Sequence, residues 1–170
     1  MPGQKDWNLI VSRLHRGFFL YFSKDSANST FPDDESFDWI VCSLTLHYIE
    51  NWEHVFEQFR RVLKPGGKLL YSVHHPFMDF ALSQLKDYFA RELLIDEWNK
   101  KEAGRVEVVF YRRPLQEIMN VTTAYFALDQ IIEPQPIPEF MERLPEAKRL
   151  FYERLKLNPH FLIVQAHKEG

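Results

Sequence analysis

The sequence predicts an α/β fold built on a mostly parallel sheet with helices on both faces. Three observations predict it. Phe37–Leu44 (FDWIVCSL) and Lys68–Val73 (KLLYSV) are nearly unbroken apolar runs of strand length, the pattern of strands covered on both sides. Between them, Val55, Phe56, Phe59, Val62 and Leu63 recur at helical spacing over 53–63. Lys64-Pro65-Gly66-Gly67 then stops that helix: lysine suits a helix C-terminus, proline cannot continue it, and glycine accepts the turn. Strand, helix, turn and strand within some forty residues make a βαβ unit.

The remaining elements follow in order. Leu9, Ile10 and Leu14 can share one helical face, interrupted near Gly17, and Phe18–Phe22 reads as a short strand. Residues 23–36 (SKDSANSTFPDDES) are polar and turn-rich, hence a loop. His74-His75-Pro76 ends the second main strand, and Phe77–Phe89 is compatible with a helix. Arg105–Tyr111 (RVEVVFY) alternates in part and reads as extended. Pro114 fits the first turn of a helix running to about Tyr125. Leu128–Ile132 resembles a strand, and EPQPIP (133–138) breaks regular structure. Glu139–Leu157 reads as helical apart from Pro145, and Phe161–Ala166 (FLIVQA) is a last apolar strand. Neither a repeat nor a linker divides the chain, so residues 1–170 form a single domain.

Composition narrows the chemistry. Six glycines fall where about twelve would be average, and none stands in a G-x-G pair, which excludes a self-contained Gly-x-Gly phosphate cradle. A net charge of −3 gives no broad footprint for nucleic acid. Cys42 stands alone and cannot form an internal disulfide, the N-terminus shows no signal-peptide core, and no apolar stretch approaches the roughly 20 residues of a membrane span. A cytoplasmic protein with no membrane partner is the expectation. The histidines lack H-x-x-x-H spacing, so no metal site is expected, and a G-x-S-x-G elbow is missing.

Four motifs then agree in order: F-P-D-x-E-S-F-D before the first main strand, S-L-x-L-H-Y-I after it, R-V-L-K-P-G-G-K-L, and S-V-x-H-P. Together they make Phe31–Pro76 resemble the class I S-adenosylmethionine-dependent methyltransferases, in particular the methyltransferase type 11 group. A weaker match continues through YRRPL (111–115), IIEPQP (131–136) and FLIVQAHK (161–168), leaving 1–17 as a divergent N-terminal segment. The resemblance implies a Rossmann-like sheet with an antiparallel last strand. It implies S-adenosylmethionine as methyl donor, a small-molecule acceptor, and in-line displacement at the sulfonium methyl, with the protein chiefly positioning the reactants.

The family's opening strand, Gly-rich loop and acidic ribose-binding residue have no counterpart here, so the domain reads as N-terminally truncated. The isolated chain is therefore expected to bind S-adenosylmethionine weakly. A catalytically inactive, truncated product acting as a regulatory or interaction subunit is the alternative function. The missing strand would have neighboured Phe37–Leu44, and its loss leaves an apolar edge. Either the N-terminal segment covers that edge in a new way, another chain does (a homodimer or partner), or the sequence is a fragment.

Site residues follow from the resemblance. Asp25 matches the position that accepts a hydrogen bond from the adenine amino group, and Ser26 the neighbour whose amide meets a ring nitrogen. Ser43 and Leu44 fall beside the methionine and sugar of the cofactor, at a strand's carboxyl end where open α/β sheets gather ligands. His75, at the H-P position, and His47 are candidate bases for the acceptor's proton, against structural roles as hydrogen-bonded or capping histidines. His74 lies on the substrate side, and Arg113 with Arg112 could bind an anionic substrate group, against plain solvation of at least one of them.

Overall fold

A computed structural model describes residues 8–14, 17–23, 32–100, 104–141 and 145–170. Its main sheet contains β1 (Asn8–Leu14), β2 (Gly17–Ser23), β3 (Phe37–Ser43), β4 (Leu63–His74), β7 (Ala127–Ile132) and β8 (Phe161–His167), in the spatial order β1-β2-β3-β4-β8-β7. A separate antiparallel pair joins β5 (Glu92–Lys100) to β6 (Gly104–Arg112). The helices are α1 (Trp52–Val62), α2 (Pro76–Leu82), α3 (Leu115–Tyr125), α4 (Pro138–Met141) and α5 (Glu146–Leu157).

β2, β3 and β4 run parallel, whereas β8 is antiparallel to both β4 and β7. That is the mostly parallel sheet with an antiparallel last strand. The β3–α1–β4 unit forms as the apolar spacing requires. Asn51 caps α1 by accepting from the His54 amide, and the helix buries Trp52, Val55, Phe56, Phe59 and Val62. Against them lie Ile40 and Cys42 of β3, Leu69, Tyr71 and Val73 of β4, and Leu162, Val164 and Ala166 of β8, with Ile118 of α3 and Phe126 completing the cluster.

Four expectations change. Residues 8–14 are a strand, not a helix: β1 pairs antiparallel with β2 from Asn8↔Ser23 to Leu14↔Gly17. The contiguous Leu9-Ile10-Val11 run suits a ladder as well as a helix, and an adjoining aromatic strand decides between them. β2 pairs with β3 at Phe19↔Val41, so strand β2 of the chain itself lies along the β3 edge.

The Lys64–Gly67 turn is absorbed into β4. Phe37 pairs with Leu63 but Trp39 already pairs with Lys68, so the Pro-Gly-Gly stretch bulges out of the ladder, with Gly66 at φ +73°. Helix α2 stops at Leu82 rather than Phe89, where Ser83 turns extended and its hydroxyl engages the Leu85 amide and carbonyl. Lastly, the strands are not equally covered on both faces. Trp39 is 40% exposed, and Val41, Leu70, Ile163 and Gln165 on the same face are half-buried.

Candidate functional site

The carboxyl ends of β3 and β4 lie side by side. Ser43 pairs with Ser72, and their hydroxyl oxygens are 3.2 Å apart. The chain then turns sharply at Leu44, whose φ of +48° is left-handed and costs a non-glycine residue about 1–2 kcal/mol. Leu44 N–H donates to the Ser72 carbonyl at 2.9 Å and lies 3.2 Å from the Ser72 hydroxyl, and Thr45 Oγ1 donates to the Ser43 carbonyl. A strained, solvent-facing turn at a sheet's carboxyl end is where a ligand-approaching backbone is found. Ser72 is an addition to the sequence reading, and the register of two parallel strands is the signal that reveals it.

The histidines sort themselves by partner. His47 sits in the 3-10 turn Leu46–Tyr48, is 3% exposed, and stacks on His74 with ring centroids 4.1 Å apart and planes 16° from parallel. Burial, with His74 and Arg113 adding repulsion, lowers its pKa to about 3. Its imidazole is thus neutral at pH 7 and a weak base.

His75 caps α2: Nδ1 accepts the Phe77 amide at 3.1 Å, which leaves the ring proton on Nε2, 2.8 Å from Glu133 Oε1. With Nδ1 accepting from the helix and Nε2 buried beside a carboxylate, the structural role suits His75 better than that of a free base. Glu133, which follows β7, carries no local sequence signal for this contact.

His74 has a different environment. Its Nδ1 lies 3.3 Å from Oδ1 of Asp79, a carboxylate almost wholly buried in α2, while 16% of the imidazole stays open to solvent. Phe110 stands edge-on to the ring at 4.9 Å. Asp79 was not among the sequence-predicted residues. The signal that could have found it is the proline-initiated helix directly after His74-His75, which brings an aspartate from the first turn back toward the strand end.

The two arginines are interior groups, contrary to the surface or substrate roles expected of them. Arg112 is fully buried, donating to Glu92 and to the carbonyls of Asp87 and Tyr88. Arg113 donates to the carbonyls of Ile49 and Glu50, lies 3.1 Å from Glu117, and stacks over Trp52. Burial lowers its pKa to about 10, so it remains a cation at pH 7, with its terminal nitrogens donating to carbonyls of the fold. Asp25 and Ser26 lie outside the described residues. A surface cleft of about 500 Å³ opens at the other end of β3, lined by Asp34, Glu35, Glu57, Arg60, Arg61 and Lys168. Its charges are mostly paired already, Arg61 with Asp34 and Lys168 with Glu35.

Residues 11–71 match the family described as methyltransferase domain, a stretch that takes in β2, β3, α1 and the greater part of β4. Over these residues the chain is similar to the methyltransferase domain family. The methyltransferase fold extends further along the chain. A putative S-adenosylmethionine-dependent methyltransferase from Listeria monocytogenes superposes with a TM-score of 0.62 at 20% identity, covering 81% of this chain and 63% of its own. An S-adenosylmethionine-dependent methyltransferase from Mesorhizobium loti gives 0.57 at 21% identity, covering 82% and 65%. The chain thus spans a little under two thirds of the length of these solved methyltransferases. Among curated proteins, a polyketide synthase-nonribosomal peptide synthetase, TwmB of Talaromyces wortmannii, is 34% identical over 86 residues, 51% of this chain and 3% of that protein. No helix among the described residues is long and apolar enough to cross a membrane.

Proposed function

We propose that this methyltransferase domain takes part in transferring a methyl group from S-adenosylmethionine to a small-molecule acceptor. The observation that carries the reading is the open end of β3, where Ser43 and Ser72 pair their hydroxyls below the strained turn at Leu44. These groups suit the polar methionine and sugar portions of the cofactor: two hydroxyls able to donate or accept, and a backbone turned outward. S-adenosylmethionine supplies an electrophilic methyl on a sulfonium. The chain's own residues position the reactants and take up a proton. Asp25 and Ser26 are proposed to hold the adenine. Similarity to an enzyme that assembles polyketides and peptides favours a small molecule over nucleic acid as acceptor.

Titrating S-adenosylhomocysteine into the 15N-labelled chain tests the reading. Without a G-x-G loop in the sequence, affinity near 1 mM, about −4.1 kcal/mol, is expected. The amide signals of Ser43, Leu44 and Thr45 should shift in a saturable way. Shifts absent from these residues, or scattered over the surface, would reject the site.

A further inference from the structure

The geometry points to His74 and Asp79 as an acid–base pair: His74 accepts the acceptor's proton at Nε2, and Asp79 is the positioning residue that holds the ring through Nδ1. The inference rests on the methyl-transfer reading and deepens it.

Three features separate His74 from its neighbours. First, its Nδ1 lies 3.3 Å from Oδ1 of a buried carboxylate that has no hydrogen-bond partner among the described residues, and the attraction of that charge favours the tautomer with the proton on Nδ1, leaving Nε2 with a lone pair. Among the described residues no hydrogen bond engages Nε2, whereas His75 Nδ1 accepts a hydrogen bond, its Nε2 is buried 2.8 Å from Glu133, and both nitrogens of His47 are sealed from solvent. Second, the ring is fixed from several sides, by the stacked His47, by the edge of Phe110 and by Phe161. A positioned base of this kind contributes about 10²–10⁴ in rate. Third, Ser72 and His74 are two residues apart on β4 and so project from one face, about 7 Å apart along the strand. The proton acceptor therefore stands next to the proposed cofactor end of the sheet.

In the step itself, the lone pair of an acceptor O–H or N–H forms the bond to the methyl carbon. The carbon–sulfur bond breaks with its electrons returning to sulfur, and the acceptor's proton passes to His74 Nε2. Asp79 stabilises the resulting imidazolium without itself becoming protonated.

Asp79 is buried, and its Oδ1 has no hydrogen-bond partner among the described residues. Its backbone amide donates to the His75 carbonyl in the first turn of α2, so helix and carboxylate are set by the same Pro76-initiated turn. His160 lies near enough to both to feel their charge, and its pKa is lowered by burial first and by His74 second. The pair is thus surrounded by neutral histidines, aromatic rings and one open side.

Two measurements on the full chain test the pair. Long-range 1H–15N spectra of the histidines at pH 8 should show His74 with its proton on Nδ1, and Asp79→Asn should move that proton toward Nε2. A wild-type His74 protonated on Nε2 overturns the proposal, even if the variant fails to fold. Diethyl pyrocarbonate, mapped by mass spectrometry, should modify His74 faster than His47 or His75 by roughly tenfold, a barrier difference of about 1.4 kcal/mol. His74 as protected as His47 would make the pair structural only and end the proposal. Asp79→Asn should leave the S-adenosylhomocysteine shifts at Ser43 and Leu44 unchanged. Loss of those shifts in the wild type instead counts against the cofactor reading and leaves the tautomer result to judge the pair alone.

Discussion

The hydroxyl of Tyr71 in β4 meets the hydroxyl of Thr122 in α3 at 2.6 Å, inside the apolar layer between sheet and helix. Thr122 donates its own proton to the Ile118 carbonyl at 2.8 Å, so Tyr71 is the donor of the pair. The contact satisfies the one polar atom of the largest side chain that β4 sends into the core. Burial also raises the Tyr71 pKa well above its ordinary value.

An asymmetry follows for substitution. Thr122→Val strands a buried phenol proton and should cost about 1–3 kcal/mol, whereas Tyr71→Phe leaves Thr122 still bonded to Ile118 and should cost nearer 0.5–1.5 kcal/mol. The double variant should be less destabilised than the two single losses summed. Urea denaturation of the three proteins checks this, and strict additivity would show that the hydroxyls do not couple.

His47 makes stability depend on pH. Its folded pKa of about 3 lies below the ordinary histidine value of 6.5, so the unfolded chain binds a proton that the folded chain refuses. The contribution is complete above pH 6.5 and drains away as the pH falls toward 3, at about 1.4 kcal/mol per unit. Between pH 7 and 5 this residue alone should remove about 2 kcal/mol. His47→Phe keeps an aromatic ring against His74 and deletes two buried nitrogens without partners. Its urea midpoint should fall less between pH 7 and 5 than that of the wild type. Parallel pH profiles for the two proteins would refute the assignment.

What the sequence makes legible here is what is local. Strands β3 and β4 and helix α1 follow from apolar runs and periodicity confined to each element, and the stop at Pro65-Gly66-Gly67 follows from local backbone chemistry. The same letters mislead where a partner decides. Leu9-Ile10-Val11 becomes a strand because Phe18–Phe22 lies beside it. The site divides in the same way. That Ser43 and Leu44 stand at a strand end is readable from a run of apolar residues ending there. That His75 is engaged depends on Glu133, far along the chain, and that Arg113 is interior depends on the carbonyls of Ile49 and Glu50. Adjacent histidines, or adjacent arginines, look alike in sequence and are told apart only by what the fold brings to them.

The two glycines of the β4 bulge have different reasons to be glycine. Gly66 has φ +73° and open space around it, so alanine there pays only for a left-handed backbone, about 1–2 kcal/mol. A Cβ on Gly67 would lie 2.7 Å from the Lys64 carbonyl oxygen and 3.0 Å from Leu63 Cδ2. Backbone cannot rotate aside as a side chain can. The bulge would have to open, along with the bonds that tie Gly66 and Gly67 to Lys168. Gly67→Ala should therefore be the more destabilising of the two in urea titrations. The reverse order would mean that the bulge is loose enough to adapt.

Arg113 offers the clearest separation of charge from shape. Its guanidinium donates to two carbonyls of the segment leading into α1, reaches Glu117 four residues on, and lies over Trp52 with its carbon 4.9 Å from the ring centroid. Lysine keeps the charge but has neither the planar fork nor the delocalised face, so it cannot serve both carbonyls and the carboxylate at once. Arg113→Lys should destabilise the fold by about 2–4 kcal/mol, in line with a buried charged hydrogen-bond network losing members. If Arg113 instead served an anionic substrate from an exposed position, the same variant would leave the urea midpoint within about 0.5 kcal/mol of wild type, as surface substitutions do.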